Sequence, residues 1–339
     1  MANCNKEFHD FNQVIRLTDA KRENLRTSRD ACRQTITNRF QKNGIETMPE
    51  FQGQGSYVTD TITNPIKGDY DLDDGVYFIG DRTADQRATP EQFHKAIVAA
   101  VQDQTNEVTD KDTCVRVRYA AGYHIDLPIY YASYLHPELA HKKKGWILSD
   151  PLEFIEWFEH RAGTSFNRAF LLEAAKEPEL RKWAEDVRKD DVQLRRIVRY
   201  FKAWADNQGR DKMPSGICLT ILATVNFAVR SNDDEAFFHT AAAMLKKLSV
   251  TFECLRPTTP VGDDLFAGYT HEQRNYFMHR LAALVHDGWN AIEAPYTSEA
   301  CAIWRKHLGG RYKCVEPVKD PAFAVSLGNL AKPAKPYRR

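Results

Sequence analysis

The stretch KGDYDLDDGVYFIG, residues 67–80, places acidic side chains at alternating positions just before an apolar run. On a β-strand, side chains two positions apart point to the same face, so Asp71 and Asp73 would lie about 6.6 Å apart, while Leu72 faces the core. Neighbouring carboxylates resist joint ionisation unless a cation lies between them. Mg²⁺ binds a few carboxylates together with phosphate oxygens and water. The spacing therefore predicts a divalent-metal site on this strand.

A third carboxylate lies in YHIDLPIYY, which is rich in β-branched and aromatic residues and predicts a buried strand. Asp126 stands in the middle of this segment, where a carboxylate is costly unless it is paired or binds a metal. If the two strands are neighbours, Asp126 faces Asp71 and Asp73. Two metal ions held there would clamp the attacking and leaving oxygens of a phosphoryl displacement. An edge-strand or capping role for Asp126 is the alternative that its position alone leaves open.

Upstream, the segment FQGQGSYVTD combines glycines with a serine. Gly53 and Gly55 permit close approach of the backbone, and the amides around Gly55 and Ser56 would donate to phosphate oxygens. A Gly-Ser pair, then a D-x-D strand, then a buried strand aspartate form an ordered set. This order predicts that phosphate donors and metal ligands converge on one triphosphate.

The aspartate run has two simpler interpretations. An EF-hand loop requires Gly at its sixth position and Glu at its twelfth, but counting from Asp69 these positions hold Asp74 and Gly80. A solvated acidic turn is the stronger alternative, because aspartates near glycine are common in turns.

Charge and length restrict the class of protein. The chain has 339 residues, 42% of them hydrophobic, which is enough for one large domain or two lobes with a substantial core. With 47 basic and 46 acidic residues, the net charge is +1. This balance disfavours non-specific duplex binding as the main task, because the phosphate backbone favours a strongly basic surface.

Cysteine usage and hydropathy indicate the compartment. The seven cysteines form no CxxC pair, which predicts buried free thiols rather than a disulfide framework or a zinc cluster. The N-terminus has no apolar signal core, and no apolar run approaches the ~20 residues that span a bilayer. A soluble cytoplasmic protein is predicted.

The elements that must position these residues fall into two groups. A helix capped by Thr18 or Asp19 and ended by Gly44 comes first. Strands separated by turns follow over about 51–131, where TCVRVRY and YHIDLPIYY flank AAG and predict a hairpin. From about Ser149 the pattern becomes helical.

Three helical segments stand out in the second group: SDPLEFIEWFEHRAG, DVQLRRIVRYFKAWADNQG and SGICLTILATVNFAV. The last is apolar on nearly all sides, which is typical of a buried central helix. In the second, Arg195, Arg199 and Lys202 share one face, and such a face is usually solvated with only its aliphatic stems buried. We predict an α+β protein with a core at 1–148 that includes a spanning N-terminal helix, a helical lobe at 149–325 and a loose tail at 326–339.

With these motifs placed, the sequence resembles the cGAS/DncV-like nucleotidyltransferases, which are bacterial anti-phage signalling enzymes, and is most similar to the DncV-type cyclic GMP–AMP synthases. The resemblance covers roughly residues 10–300. It rests on QGSYVTDT, DYDLDDGVYF, HIDLPIYYA, GWILSDPLEFIEWF and LRRIVRYFKAWADNQ followed by PSGICLTILATVNF. It implies a polymerase-β-like nucleotidyltransferase core joined to a helical lobe, with the active site in the cleft between them.

The resemblance also implies site residues. Asp71 and Asp73 would be ligands for two Mg²⁺ ions, for which Mn²⁺ can substitute, and Asp126 would be the third ligand, next to the acceptor hydroxyl. The residues implied to contact nucleotides are Gln54, Gly55 and Ser56 along the donor triphosphate, Lys202 and Ser215 at the donor phosphates, and Arg116 near the bases.

The implied reaction joins ATP and GTP, or other NTPs, into a purine-containing, cGAMP-like cyclic dinucleotide and releases pyrophosphate. The implied setting is CBASS anti-phage signalling, with ancillary regulators and a downstream effector that senses the product. Neither a membrane nor a stable nucleic-acid complex is required. Synthesis of a cyclic trinucleotide or a linear oligonucleotide is the alternative, and an inactive nucleotide-binding sensor is the alternative from another class.

Overall fold

The computed structural model describes residues 2–45, 47–133 and 136–314, so the predicted tail at 326–339 lies outside the described residues. The strands are β1 (Glu50–Gln54), β2 (Tyr70–Ile79), β3 (Glu107–Asp110), β4 (Cys114–Tyr119), β5 (Tyr123–Ala132), β6 (Glu138–His141) and β7 (Gly145–Leu148). The helices are α1 (Asn5–Ile15), α2 (Asp19–Lys42), α3 (Gly55–Val58), α4 (Pro90–Val101), α5 (Pro151–Arg161), α6 (Arg168–Lys176), α7 (Pro178–Arg188), α8 (Gln193–Asn207), α9 (Gly216–Val225), α10 (Asp233–Val250), α11 (His271–Glu293) and α12 (Thr297–Leu308).

The strands form one mixed sheet in the order β1-β2-β5-β4-β3, and β6 extends it from β5 with β7 beside it. The predicted hairpin of β4 and β5 is confirmed. The central strands β2 and β5 run parallel, with Asp73 opposite Asp126 and Asp71 opposite His124. This register brings the two acidic segments of the sequence side by side.

Helices cover one face of the sheet. The predicted first helix is confirmed as α2, which begins after Thr18, whose hydroxyl accepts a hydrogen bond from the Lys21 amide. Leu72 and Ile125 pack in one apolar cluster with residues of α2 and α4. Because side chains alternate along a strand, burying Leu72 on this face leaves Asp71 and Asp73 on the other.

A second apolar cluster is formed by α1, the end of α5 and the helices from α8 to α12. The amphipathic stripe of α8 and nearly the whole of α9 are buried in it. The cluster also contains α1, which the sequence pattern did not predict: Phe8 and Phe11 pack against Tyr200 and Tyr312. The first turns of the chain thus complete the core of helices that come after the sheet.

The cysteines differ in part from expectation. Cys301 and Cys314 form a disulfide, because the chain turns back after α12 and brings their Cα atoms to 5.6 Å. The remaining five cysteines are free and buried, as predicted. In the described ranges, no helix combines the length and the hydropathy needed to cross a membrane.

Candidate active site

The acidic residues predicted to act together meet on one face of the β2–β5 pair. Ligand atoms of Asp71, His124 and Asp126 all lie within 4.8 Å of one another. Asp73 stands directly opposite Asp126 in the parallel register. Two strands thus bring three carboxylates to one spot, as their alternation predicted, and add a histidine.

The electrostatics of this spot favour a bound cation. Burial, together with the negative charges of Asp71 and Asp126, raises the pKa of Asp73 well above its usual range, although Arg116 and Lys202 act in the opposite direction. An ionised Asp73 is therefore unfavourable unless positive charge is added. Carboxylates in this arrangement fit a divalent ion with oxygen ligands.

Arg116 lies beside Asp126 on the neighbouring strand. Its guanidinium donates two hydrogen bonds to the Asp126 carboxylate, at 2.7 and 2.6 Å, from the opposing position in the β4–β5 ladder. The structure thus places Arg116 against a carboxylate of the cluster, where it orients Asp126 and offsets part of its charge.

His124 was missed by sequence reasoning. Its side chain is 7% exposed, and its Nε2 lies 3.9 Å from carboxylate oxygens of both Asp71 and Asp126. Within the described residues, neither ring nitrogen has a hydrogen-bond partner. The signal was available, because His124 precedes Asp126 by two positions and must share its face.

The Gly-Ser segment lies against the carboxylates. Gly55 begins α3 directly after β1 and adopts a φ of +70°. A Cβ atom at Gly55 would lie 2.2 Å from Oδ2 of Asp73, so only glycine permits this approach. The neighbouring Gln54 donates a hydrogen bond of 3.1 Å to the Tyr130 hydroxyl, which fixes its side chain at the base of the cleft.

A cleft with a volume of about 400 Å³ opens above this face and is lined by residues from both the sheet and the helices. That volume falls within the range of small-molecule sites. From the sheet side the lining includes Gln54, Gly55, Ser56, Asp71 and Asp73, and from the helical side Pro151, Phe154, Lys202, Gly216 and Arg256.

The two predicted phosphate contacts on the helical side differ in position. Lys202 lines the cleft, and its Nζ donates to the carbonyl and hydroxyl oxygens of Thr61, at 3.1 Å each. Ser215 caps α9 by accepting a hydrogen bond from the Cys218 amide. Ser215 is exposed, and its neighbours Pro214 and Gly216 line the cleft, whereas Ser215 itself does not.

The other aspartates of the run pair with arginines. Asp69 accepts a hydrogen bond of 2.5 Å from Arg118 at the edge of the cleft. Asp74 points to the opposite face of the sheet, where it is fully buried and accepts hydrogen bonds of 2.7 and 2.5 Å from Arg33. The run is therefore neither an EF-hand loop nor a solvated turn.

The prediction that the cationic face of α8 is solvated is wrong. Arg195 and Arg199 are fully buried, and both form ion pairs with carboxylates brought from elsewhere in the chain. Their partners Glu159 and Asp191 neutralise them, which allows guanidinium groups to remain charged in the interior.

Comparison with solved structures identifies the fold. The Vibrio cholerae DncV cyclic AMP-GMP synthase superposes with a TM-score of 0.74 at 18% identity, over 93% of this chain and 98% of that one. The same enzyme bound to the linear intermediate 5′ pppA(3′,5′)pG superposes with a TM-score of 0.73 at 18% identity, over 92% and 97% of the two chains. The fold is a polymerase-β-like nucleotidyltransferase core with a helical lobe.

Sequence comparison points to the same family. Residues 49–130 match the family model described as the nucleotidyltransferase domain of DncV-like cyclic GMP-AMP synthases, so the chain carries a DncV-like nucleotidyltransferase domain. A cyclic GMP-AMP synthase of Escherichia albertii is 26% identical over 215 residues, which are 60% of this chain and 43% of that relative. The match thus spans less than half of the relative's length. Together, the family model, this relative and the solved structures confirm the predicted resemblance.

Proposed function

We propose that the protein is a nucleotidyltransferase that joins NTPs into a cyclic dinucleotide and releases pyrophosphate. One observation carries this proposal: Asp71 and Asp73 line a cleft together with Gly55 and Ser56, and the β2–β5 register brings Asp126 beside them. Carboxylates that need a cation, next to backbone suited to a triphosphate, are what phosphoryl transfer between nucleotides requires.

Asp71, Asp73 and Asp126 would hold two Mg²⁺ ions, or Mn²⁺ in their place, which supply charge stabilisation to the phosphoryl group when bound. Arg116 holds the Asp126 carboxylate in place through two hydrogen bonds. Lys202 contributes positive charge near Asp73 on the side from which the phosphates would enter. The chain's own part in the reaction is thus positioning and electrostatic stabilisation.

The named relatives support a purine product. The E. albertii relative is a cyclic GMP-AMP synthase, and the V. cholerae enzyme has been solved with a linear pppA(3′,5′)pG intermediate and with ATP and GTP. We extend this to ATP and GTP as substrates and a cGAMP-like product. A role in CBASS anti-phage signalling in the cytoplasm, with ancillary regulators and a product-sensing effector, belongs to the same proposal.

The remaining assignments of substrate contacts and domains are part of this proposal. Gln54, Gly55 and Ser56 would lie along the donor triphosphate, and Lys202 and Ser215 would act near its phosphates. Arg116, which donates hydrogen bonds to Asp126, would lie near the bases. Two domains, 1–148 and 149–325, would form the two walls of the cleft, with α1 packed on the second.

The test is mass spectrometry of the products made from all four NTPs with Mg²⁺, before and after phosphatase treatment. We expect a phosphatase-resistant cyclic dinucleotide together with released pyrophosphate. A product that phosphatase degrades would indicate linear synthesis, and a heavier resistant product would indicate a cyclic trinucleotide. Nucleotide binding without pyrophosphate release from any NTP mixture would indicate an inactive sensor and overturn the proposal.

A further inference from the structure

The turn that follows the Gly55–Ser56 site is held by one face of α8. Three cationic side chains of that face each donate to one of three successive backbone carbonyls in the segment 59–61. The pairs are Arg195 with Thr59 at 2.7 Å, Arg199 with Asp60, and Lys202 with Thr61 at 3.1 Å. The helical lobe therefore holds this loop of the sheet lobe at three successive residues.

The segment 59–61 contains an unfavourable backbone conformation. Asp60 adopts a φ of +52°, which is left-handed and disfavoured for a residue with a Cβ atom. Its carboxylate is nearly buried and accepts hydrogen bonds from Arg16, at 2.9 Å, and from Arg22. Such a conformation persists only where the surroundings over-determine it, and it is concentrated at ligand-binding turns.

The segment in turn fixes Ser56. The amides of Thr61 and Ile62 both donate to the Ser56 carbonyl, at 2.9 and 3.0 Å. Ser56 lines the cleft, whereas the segment's left-handed residue lies behind it. A shift of the segment 59–61 would therefore be transmitted to Ser56 through two hydrogen bonds.

Arg199 is the middle one of the three cations that contact the segment 59–61. Besides the Asp60 carbonyl, its guanidinium donates to Asn12, at 2.9 Å, and to Asp191. Arg199 is fully buried, so it touches neither solvent nor the cleft. Any effect of this residue on nucleotides must act through the turn.

We propose that Arg199 is a positioning residue for the nucleotide's phosphates: it holds the segment 59–61 in its left-handed turn and thereby keeps Ser56 on the wall of the cleft. The inference rests on the proposed nucleotidyltransferase function and deepens it. On this proposal the cationic face of α8 has two roles: Lys202 lines the cleft, and the buried Arg199 positions the segment 59–61.

The test compares Arg199→Lys with Arg196→Lys. Lysine keeps the charge but loses the planar fork that reaches several acceptors at once. Arg196 is the matched control on the same helix, because it makes a two-point pair with Asp233, at 2.6 and 2.9 Å, within the helical lobe. Both variants should lower the unfolding temperature.

The readouts are the dissociation constants of non-hydrolysable GTP and ATP analogues with Mg²⁺, and KM and kcat for pyrophosphate release. For Arg199→Lys we expect kcat/KM to fall by on the order of ten- to a hundred-fold, as a misplaced binding group does, mainly through KM and with weaker analogue binding. For Arg196→Lys we expect changes within about twofold, because the hydrogen bonds of Arg196 go to Asp233 and to the Asp191 carbonyl rather than to the segment 59–61, and Arg196 does not line the cleft.

Asp60→Asn provides a second route if Arg199→Lys does not fold. Asparagine tolerates the left-handed conformation but removes the charge that Arg16 and Arg22 hold. We expect it too to raise KM and weaken analogue binding. Unchanged KM and binding in both variants, or equal effects in the Arg196→Lys control, would overturn the inference while leaving an active wild-type enzyme. A wild-type protein that neither binds the analogues nor releases pyrophosphate would remove the proposed function itself.

Discussion

Two clusters of charged side chains lie within this fold, and their charges are balanced differently. The carboxylate cluster consists of Asp71, Asp73 and Asp126, and the junction cluster consists of Asp60, Glu159, Asp191, Arg195 and Arg199. In the junction cluster each charge meets an opposite one: Glu159 contacts Arg195 at 2.7 Å and Arg188 at 2.7 Å. In the carboxylate cluster Arg116 pairs with Asp126, and the remaining charges repel.

The difference separates a structural from a chemical use of charge. A balanced cluster fixes how two lobes meet and gains nothing from an added ion. An unbalanced cluster open to a cleft is poised to gain from one, and perturbed groups of this kind concentrate at functional sites. The four experiments below test this contrast, beginning with the largest expected effect.

Removing one carboxylate from the cluster should abolish the reaction. We expect Asp73→Asn to lower the rate of pyrophosphate release by on the order of 10³-fold, the scale of losing a main electrostatic element of a site. The matched control is Asp74→Asn, the next residue on the same strand, which faces Arg33 behind the sheet. It should lower the free energy of unfolding by about 3 kcal/mol and keep its activity at a temperature where it is folded. Equal activity losses in both variants would erase the contrast.

Removing one charge from the junction cluster should cost stability rather than chemistry. Glu159→Gln leaves Arg188 and Arg195 without their carboxylate, and we expect the free energy of unfolding to fall by about 3–5 kcal/mol in urea titrations at pH 7.

The pH dependence of this loss follows from the pKa of Glu159. Burial alone would raise that pKa, but Arg188 and Arg195 lower it below its usual range. The stabilisation is therefore complete above the unfolded-state pKa of about 4.3 and disappears as pH falls through the lower folded value. If the difference in free energy of unfolding between the wild type and Glu159→Gln grew as the pH fell, the lowered pKa of Glu159 could not be its cause.

A methyl group at Gly55 should disturb the carboxylate cluster from the side. We expect Gly55→Ala to lower kcat/KM by on the order of 10²-fold, because its Cβ would meet Asp73 and displace it. Gly122→Ala is the control: Gly122 also has a positive φ, of +77°, but nothing lies within 4 Å of an added Cβ. Both should lose about 1–2 kcal/mol of stability from backbone strain. Equal kinetics would show that Asp73 tolerates the methyl group.

The smallest effect concerns the metal-free protein. With EDTA at pH 8, we expect Asp73→Asn to raise the free energy of unfolding by about 1 kcal/mol, because it removes one of the mutually repelling charges. Mg²⁺ with a non-hydrolysable GTP analogue should stabilise the wild type by about 2.7 kcal/mol at a hundred times the dissociation constant, and the variant far less. Destabilisation of the metal-free variant would mean that Asp73 is already neutralised by the protein.

Much of the carboxylate cluster follows from period-two alternation. That rule alone places Asp71 with Asp73, sends Leu72 to the core and predicts that Asp126 joins them once the strands pair. The pair of Arg116 with Asp126 was equally available, because the three-residue turn AAG between the two strands sets that register. His124 follows from the same alternation.

The junction cluster could not be predicted in the same way. The partner of Arg195 is Glu159 on α5, and the partners of Arg199 are Asp60 in the turn after α3 and Asp191 just before α8. These residues are far apart in the sequence, and only the packed fold brings them together. A helical face of cations looks alike in sequence whether it meets water or carboxylates. The helix α1 and the short strands β6 and β7 were missed for a related reason, since their few apolar residues become informative only after long-range packing.

The most direct test of the central claim is a crystal structure with Mn²⁺ and a non-hydrolysable GTP analogue, measured with anomalous scattering. We expect anomalous peaks between Asp71, Asp73 and Asp126, with the analogue's phosphates beside Gly55 and Ser56. An analogue bound in the cleft with no metal peak there, and Asp126 held by Arg116 alone, would contradict it.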